Sequence, residues 1–255
     1  MTERHGRSAF ANPGKSDYPA IYHAGDRALL VKFGNRHSES TSRAVLAFDA
    51  ALRSAPIGVV ETAPTMRSVL IAFDPLQLKP GLLIDWCEAL LSSRDWYGAD
   101  NKIDGKRWIM PAVYGGAAGP DLKELAVLAG TTPEQVVRLH TEIELTVLCL
   151  GFSPGLAYLA ELPDPFKVPR RSSFGSPVSA GSILVANRQT VLPATPIPTG
   201  WRCIGRTPAR TFLPNTSNPF VLSPGDKVRF VQITEAEAQR FDQRKFLEEH
   251  GIERT

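Results

Sequence analysis

The chain has 255 residues, 43% hydrophobic and 22% charged, with 29 basic against 26 acidic side chains and a net charge of +3. That length holds one large domain or two, and roughly 70% of the unfolded surface can be buried without disulfide staples. A charge this balanced, with no basic stripe interleaved with aromatics, argues against nucleic acid as a partner.

Residues 1–17 are polar and lack the apolar stretch of a signal peptide, so they read as a disordered tail. No apolar run approaches the ~18 residues of a membrane span, and a cytoplasmic location is expected. Ala28 to Phe33 reads as a buried strand closed by Gly34-Asn35. A helix follows from about Ser40 to Arg53, with Val45, Phe48 and Leu52 on its apolar side. Ser68 to Phe73 is a second strand. A second helix starts near Pro80, with Leu83, Trp86, Cys87, Leu90 and Leu91 on one face. Residues 18–100 thus predict a small α/β domain built strand–helix–strand–helix.

A polar, Gly/Asp-rich boundary falls at Asp95 to Gly105. Beyond it, Arg107–Val113 reads as a strand, and short helices start near Pro120-Asp121 and at the capping box Thr132 to Gln135. Strand-like runs then alternate with Gly/Pro turns: 145–150, 182–186, 190–192, 202–204, 220–222 and 228–233. That pattern predicts a β-barrel or sandwich over 106–233. A charged helix, 234–255, closes the chain behind a capping box at Thr234–Glu237, with Phe241 and Leu247 available to dock it. Cys87, Cys149 and Cys203 are scattered, form no CxxC, and read as buried thiols in a reducing compartment. No metal site is expected.

The run Gly151-Phe152-Ser153-Pro154-Gly155 satisfies the nucleophile-elbow pattern G-x-S-x-G. An elbow needs a backbone N–H on the residue after the serine, and Pro154 has none. The run therefore reads as a tight turn with close backbone approach. His140 lies on the apolar side of its helix, where a structural histidine is the commoner outcome, yet that helix leads straight into the turn. Arg170-Arg171 and Arg206 read either as solvated charges or as clamps for a carboxylate or phosphate. Gln189 is placed to hydrogen-bond an amide or carboxylate. Trp201 can wall an apolar pocket or sit in a core. No G-x-x-x-x-G-K-[ST] phosphate loop is present.

Taken together, several segments carry a resemblance. They are Gly25–Gly34, Arg67-Ser68, Phe73-Asp74-Pro75, Tyr114-Gly115-Gly116, Gly119–Leu122, Arg138-Leu139-His140 and the run Gly151–Leu159. They continue through Val168–Arg171, Ala180-Gly181-Ser182, Pro198–Trp201, Gly205–Pro208 and Pro224–Phe230. In this order the chain resembles the KipI family, which includes the B-type component of 5-oxoprolinase, also called allophanate hydrolase subunit 1, over about Ile21 to Ile233.

The resemblance implies an α+β chain: a small α/β N-terminal domain followed by a cyclophilin-like β-barrel. It implies a subunit of an ATP-dependent lactam hydrolase that opens 5-oxoproline to glutamate. The implied partners are a KipA-type protein, the C-type component of the same enzyme, and a LamB/YcsF-type protein. ATP, with Mg, would bind at a site shared with the partner or carried by it. His140, Arg170 and Gln189 are the implied catalytic residues. Gly151, Phe152, Pro154, Gly155, Tyr158, Ser182, Trp201 and Arg206 are the implied substrate-binding residues. Two other family roles are inhibition of a sensor histidine kinase and the carboxyltransferase part of a urea carboxylase-like system. The chain departs from the family pattern at Leu156, Phe174-Gly175, Ser179, Leu192 and Thr199. The arginine and tyrosine lost at 175 and 192 are expected to alter the pocket, extending the implied substrates to another lactam, amide or carboxylated amide.

Overall fold

The computed structural model describes residues 18–101 and 105–251, so the expected tail 1–17 lies outside the described residues. The chain divides into two compact units, Met1–Ile103 and Asp104–Thr255.

In the first unit, β1 (Ala20–His23), β2 (Ala28–Lys32), α1 (Glu39–Ala51), β3 (Val59–Pro64), β4 (Ser68–Phe73) and α2 (Pro80–Ser92) follow in sequence. The strands form one antiparallel sheet in the order β1-β2-β4-β3. Alternation in Leu29, Val31, Val69, Ile71 and Phe73 gives the sheet one buried face. Val45 and Phe48 of α1 and Leu83 and Cys87 of α2 join those residues in one core. Ser38 caps α1 by accepting from the Thr41 N–H at 3.1 Å. The expected strands β2 and β4 and both helices are present. The two outer strands, β1 and β3, are additions to the expected set. Each pairs on one side only and half exposes its side chains, so neither carries the apolar alternation that marks a strand in sequence.

The second unit runs β5 (Arg107–Tyr114), α3 (Leu122–Leu128), α4 (Pro133–Glu142), β6 (Glu144–Leu150), β7 (Ala157–Ala160), β8 (Ser182–Ala186), β9 (Gln189–Leu192), β10 (Arg202–Arg206), β11 (Lys227–Gln232), α5 (Glu235–Gln239) and α6 (Gln243–Glu249). Its seven strands close into a barrel in the order β10-β5-β11-β6-β7-β9-β8. The mixed architecture of a small sheet unit and a barrel unit is the one the resemblance implies. Trp108, Met110, Leu145, Val147, Leu159, Val185, Ile204 and Phe230 belong to the inner core.

Strand β7, over residues 157–160, is an addition to the expected set, and two expectations differ from the structure. Residues 220–222 form no strand, and Phe220 makes only an isolated bridge to Phe212. Over its described residues the expected closing helix is two short helices, α5 and α6, broken at Arg240–Asp242, and residues 252–255 lie outside the described residues. Asp242 starts the second by capping the N–H groups of Arg244 and Lys245. The Thr234–Glu237 capping box forms with both arms. Phe246 and Leu247 are buried, and His250 stacks on Trp108 at 4.8 Å. Asp226, in the turn before β11, accepts from the Lys106 N–H, the Trp108 indole and the Ser223 N–H at 2.8–2.9 Å. That buried carboxylate ties the start of β5 to the start of β11.

Candidate functional site on the outer barrel wall

Side chains on a strand alternate between faces, so strand register sorts the candidates. Cys149, Tyr158, Val191, Leu184 and Cys203 are successive cross-strand partners over β6, β7, β9, β8 and β10. Leu159, Thr190 and Val185 form the intervening row, and they point into the barrel. The first row therefore points out. Gln189 lies in the next outward row, paired with Ala160 and Ala186. Ser182, paired with Arg206, shares the outward face of β8.

On this wall sits a second apolar cluster. It contains Leu156, Leu184, Val191, Ile197 and Cys203, with Tyr158, Val178 and Trp201 packed on it. The segments before and after β8 and β9 cover it, joined by reciprocal bonds between Val178 and Ile197. Trp201 thus serves the wall of this site and not the barrel core. Burial raises the Tyr158 phenol pKa and Cys149 adds to the rise, while the nearby Arg170 charge opposes it. Arg170 is exposed, and among the described residues it makes no hydrogen bond or ion pair. Arg206 is exposed at the Ser182 end of the wall. Burial raises the Cys203 thiol pKa, against a hydrogen bond from Ser182 and the Arg206 charge.

The turn 151–155 joins β6 to β7 at this wall. The Gly151 N–H donates to the Leu156 carbonyl at 3.0 Å, and the Leu156 N–H donates to the Ser153 carbonyl at 3.1 Å. Gly155 has φ +71°, and a Cβ there would lie 3.0 Å from the Ala194 Cβ and 3.1 Å from the Phe212 Cβ. Phe152 is also left-handed, at φ 71°, and holds its ring 75% exposed. That conformation costs a non-glycine residue about 1 kcal/mol, so the turn spends strain to present an aromatic ring. Among the described residues the Ser153 hydroxyl has one hydrogen-bond partner, the Thr195 hydroxyl at 3.4 Å, and the turn opens a strand instead of a helix. Both facts agree with the exclusion of a nucleophile elbow.

His140 is not brought to this wall. It projects from α4 into the barrel and is fully buried. Nδ1 and Nε2 are engaged by the Tyr114 hydroxyl at 2.7 Å and the Thr190 hydroxyl at 2.9 Å. The Phe230 ring lies 4.8 Å away. Burial pulls its pKa down to about 3, so the imidazole is neutral. Leu192 also points inward, into the barrel core. The tyrosine expected to be lost from the pocket at that position is therefore a change of core packing. Leu156, by contrast, fills the outward cluster.

In sequence Arg170 and Arg171 are an undivided pair, and the structure separates them. Arg171 reaches both carboxylate oxygens of Asp121, at 2.9 and 3.2 Å, and also pairs with Glu124. Glu124 accepts from Arg202 at 2.9 Å, and Arg202 donates to the Pro169 carbonyl at 2.6 Å. Burial pushes the Glu124 carboxyl pKa up, but its two guanidinium partners outweigh that and hold it below the ordinary value. Asp121, Glu124 and Arg202 are functional candidates that sequence reasoning misses. Asp121 reads there as a helix start, yet it makes no side-chain cap to α3 and receives the Cys203 N–H at 2.8 Å instead.

A cleft of about 460 Å³ lies at another place on the barrel, lined by residues 113–116 and by residues 232–235 with Glu237. None of the expected site residues lines it. Among the described residues no group of His, Cys, Asp or Glu could hold a metal ion, and no helix is long and apolar enough to cross a membrane.

A family model described as the carboxyltransferase domain, subdomain C and D, matches residues 19–222. The B subunit of 5-oxoprolinase from Bacillus subtilis (strain 168) is 33% identical over 227 residues, 84% of this chain and 93% of the relative. Its namesake in Escherichia coli O157:H7 is 39% identical over 174 residues, 68% of this chain and 78% of the relative. The crystal structure of TTHA0988 superposes with a TM-score of 0.70 at 31% identity over 82% of this chain, which spans 40% of that longer protein. The K. lactis urea amidolyase structure matches 93% of this chain, and 17% of its own, with a TM-score of 0.65 at 19% identity; that likeness is one of fold.

Proposed function

This chain belongs to the carboxyltransferase subdomain C and D family, and from that membership we propose that it is one subunit of an ATP-dependent 5-oxoprolinase-type lactam hydrolase. It works in a hetero-oligomer with a KipA-type partner, the C-type component, and a LamB/YcsF-type protein. The reading draws on relatives that are themselves named as the B subunit of 5-oxoprolinase. One observation of the chain supports it: Arg170 is exposed and unpartnered among the described residues, and its charge acts on Tyr158, which packs on an apolar wall that includes Trp201.

5-Oxoproline offers a carboxylate and a compact apolar ring bearing an amide. Arg170 takes the carboxylate in a bidentate grip. Tyr158 and Gln189 hydrogen-bond the ring amide, and Trp201 and the Phe152 turn shield it from water. His140 acts from inside the barrel by fixing Tyr114 and Thr190, and not by proton transfer. We place ATP and its Mg at a site shared with the partner or carried by it, in keeping with the lack of a phosphate-loop motif in this chain, and no step at this wall is routed through them.

The test is reconstitution with the companion subunits and 5-oxoproline. Arg170→Ala should raise KM for 5-oxoproline roughly 10–100-fold, the loss of one charge-assisted pair. An unchanged KM removes Arg170 from the site. The family's carboxyltransferase description favours a second reading, half of a carboxyltransferase with a biotinylated partner. Carboxylation by this chain with such a partner, without lactam opening, would select it. Inhibition of a sensor kinase by this chain alone would select the regulatory role.

A further inference from the structure

The segment carrying Arg170 is pinned on both sides, and Arg170 itself is not. Before it, Val168 is buried and its carbonyl accepts the Asn187 N–H at 2.7 Å. The Pro169 carbonyl is held by Arg202 at 2.6 Å. After it, the Arg171 N–H donates to the Gly200 carbonyl at 2.7 Å. A Cβ on Gly200 would meet the Arg171 carbonyl at 2.9 Å, so the two stretches of chain touch backbone to backbone. The Arg171 side chain is clamped by Asp121 and Glu124. Glu124 then closes the circuit through Arg202 back to Pro169. Arg171 is thereby tied to the start of α3, while Arg170 is exposed, makes no hydrogen bond or ion pair among the described residues, and acts on Tyr158 through its charge.

We propose that Asp121, Glu124, Arg171 and Arg202 are positioning residues: they lock residues 169–171 so that Arg170 alone presents its guanidinium to the substrate carboxylate. The inference rests on the reading of Arg170 given above. Two adjacent arginines divide the work, one as structural fork and one as ligand. The fork needs a planar guanidinium, because only that shape spans both oxygens of Asp121 while also reaching Glu124. The network thereby acts on affinity and not on turnover.

The experiment uses the reconstituted complex with 5-oxoproline, and the isolated chain for hydrogen exchange. Glu124→Gln and Arg171→Lys should each raise KM for 5-oxoproline roughly tenfold, with kcat within about twofold. Arg171→Lys keeps the charge and should still fail to rescue. In an Arg170→Ala background, Glu124→Gln should add no further rise, because the residue it positions is gone. In the isolated chain, Glu124→Gln should speed backbone exchange over 169–175 and leave the barrel strands unchanged. An equal KM effect of Glu124→Gln in both backgrounds would overturn the positioning role. If Arg170→Ala itself leaves KM unchanged, the reading of Arg170 falls, and the exchange measurement alone judges the lock. Unchanged exchange over 169–175 overturns it.

Discussion

Replacing His140 by Gln gives a sharp test of how this histidine is used. Its folded pKa is down to about 3, against an ordinary value of 6.5, because the barrel interior disfavours the cation. The sign follows from proton counts. Below pH 6.5 the unfolded chain takes up a proton at His140 and the folded chain does not, so stability falls with acid from 6.5 towards about 3. Well above 6.5 both states are neutral and the site adds no pH dependence. Between about pH 7 and about pH 5.5 the predicted loss is about 1.3 kcal/mol. Urea unfolding followed by tryptophan fluorescence at the two pH values measures it. His140→Gln should be less stable at both, since the Tyr114 and Thr190 hydroxyls must find new geometry, yet its acid loss should be smaller by that amount. An identical acid loss in wild type and variant would show that His140 is protonated in the folded barrel and that the burial argument is wrong.

Other outcomes follow from single contacts. Gly155→Ala forces a Cβ against Ala194 and Phe212 at a left-handed position, and should cost about 1–2 kcal/mol in urea unfolding. Gly200→Ala presses on the Arg171 carbonyl, so it should raise KM for 5-oxoproline as Glu124→Gln does, and a KM at the wild-type value would contradict the close backbone approach. Ser153→Ala should keep activity within roughly twofold, whereas loss of a true nucleophile costs on the order of 10⁴ or more. Asp226→Ala orphans the Trp108 indole and two backbone N–H groups, and should destabilise the barrel unit by about 2–4 kcal/mol. A midpoint unchanged by that substitution would mean these bonds are dispensable.

The fold was legible wherever one face of an element is buried. Leu29 and Val31, Val69 and Ile71, and Val228 and Phe230 announce their strands because alternate side chains enter a core. The outer strands β1 and β3 lack that signal. Strand β7 is hidden for another reason: Ala157 to Ala160 is short and continues directly from a Gly/Pro turn. The turn itself is readable from Pro154 and its glycines, and that reading needs only the missing N–H. The site was legible in residue types and not in sidedness. Nothing local distinguishes Arg170 from Arg171, or Leu156 facing out from Leu192 facing in. Those differences arise from which partner strand or helix arrives from elsewhere in the chain. Asp121 and Glu124 are separated from Arg171 by some fifty residues, so their pairing exists only in the folded barrel.

The central claim is that the outer wall holding Arg170 and Tyr158 forms half of a lactam-opening site. The most direct measurement is 5-oxoproline-dependent ATP hydrolysis by this chain mixed with its companion subunits, with wild-type and Arg170→Ala chains compared at equal complex concentration. The account predicts robust turnover with the wild-type chain and a KM for 5-oxoproline raised roughly 10–100-fold by the substitution. Full complex formation without any 5-oxoproline-dependent hydrolysis, or identical kinetics from both chains, would contradict it.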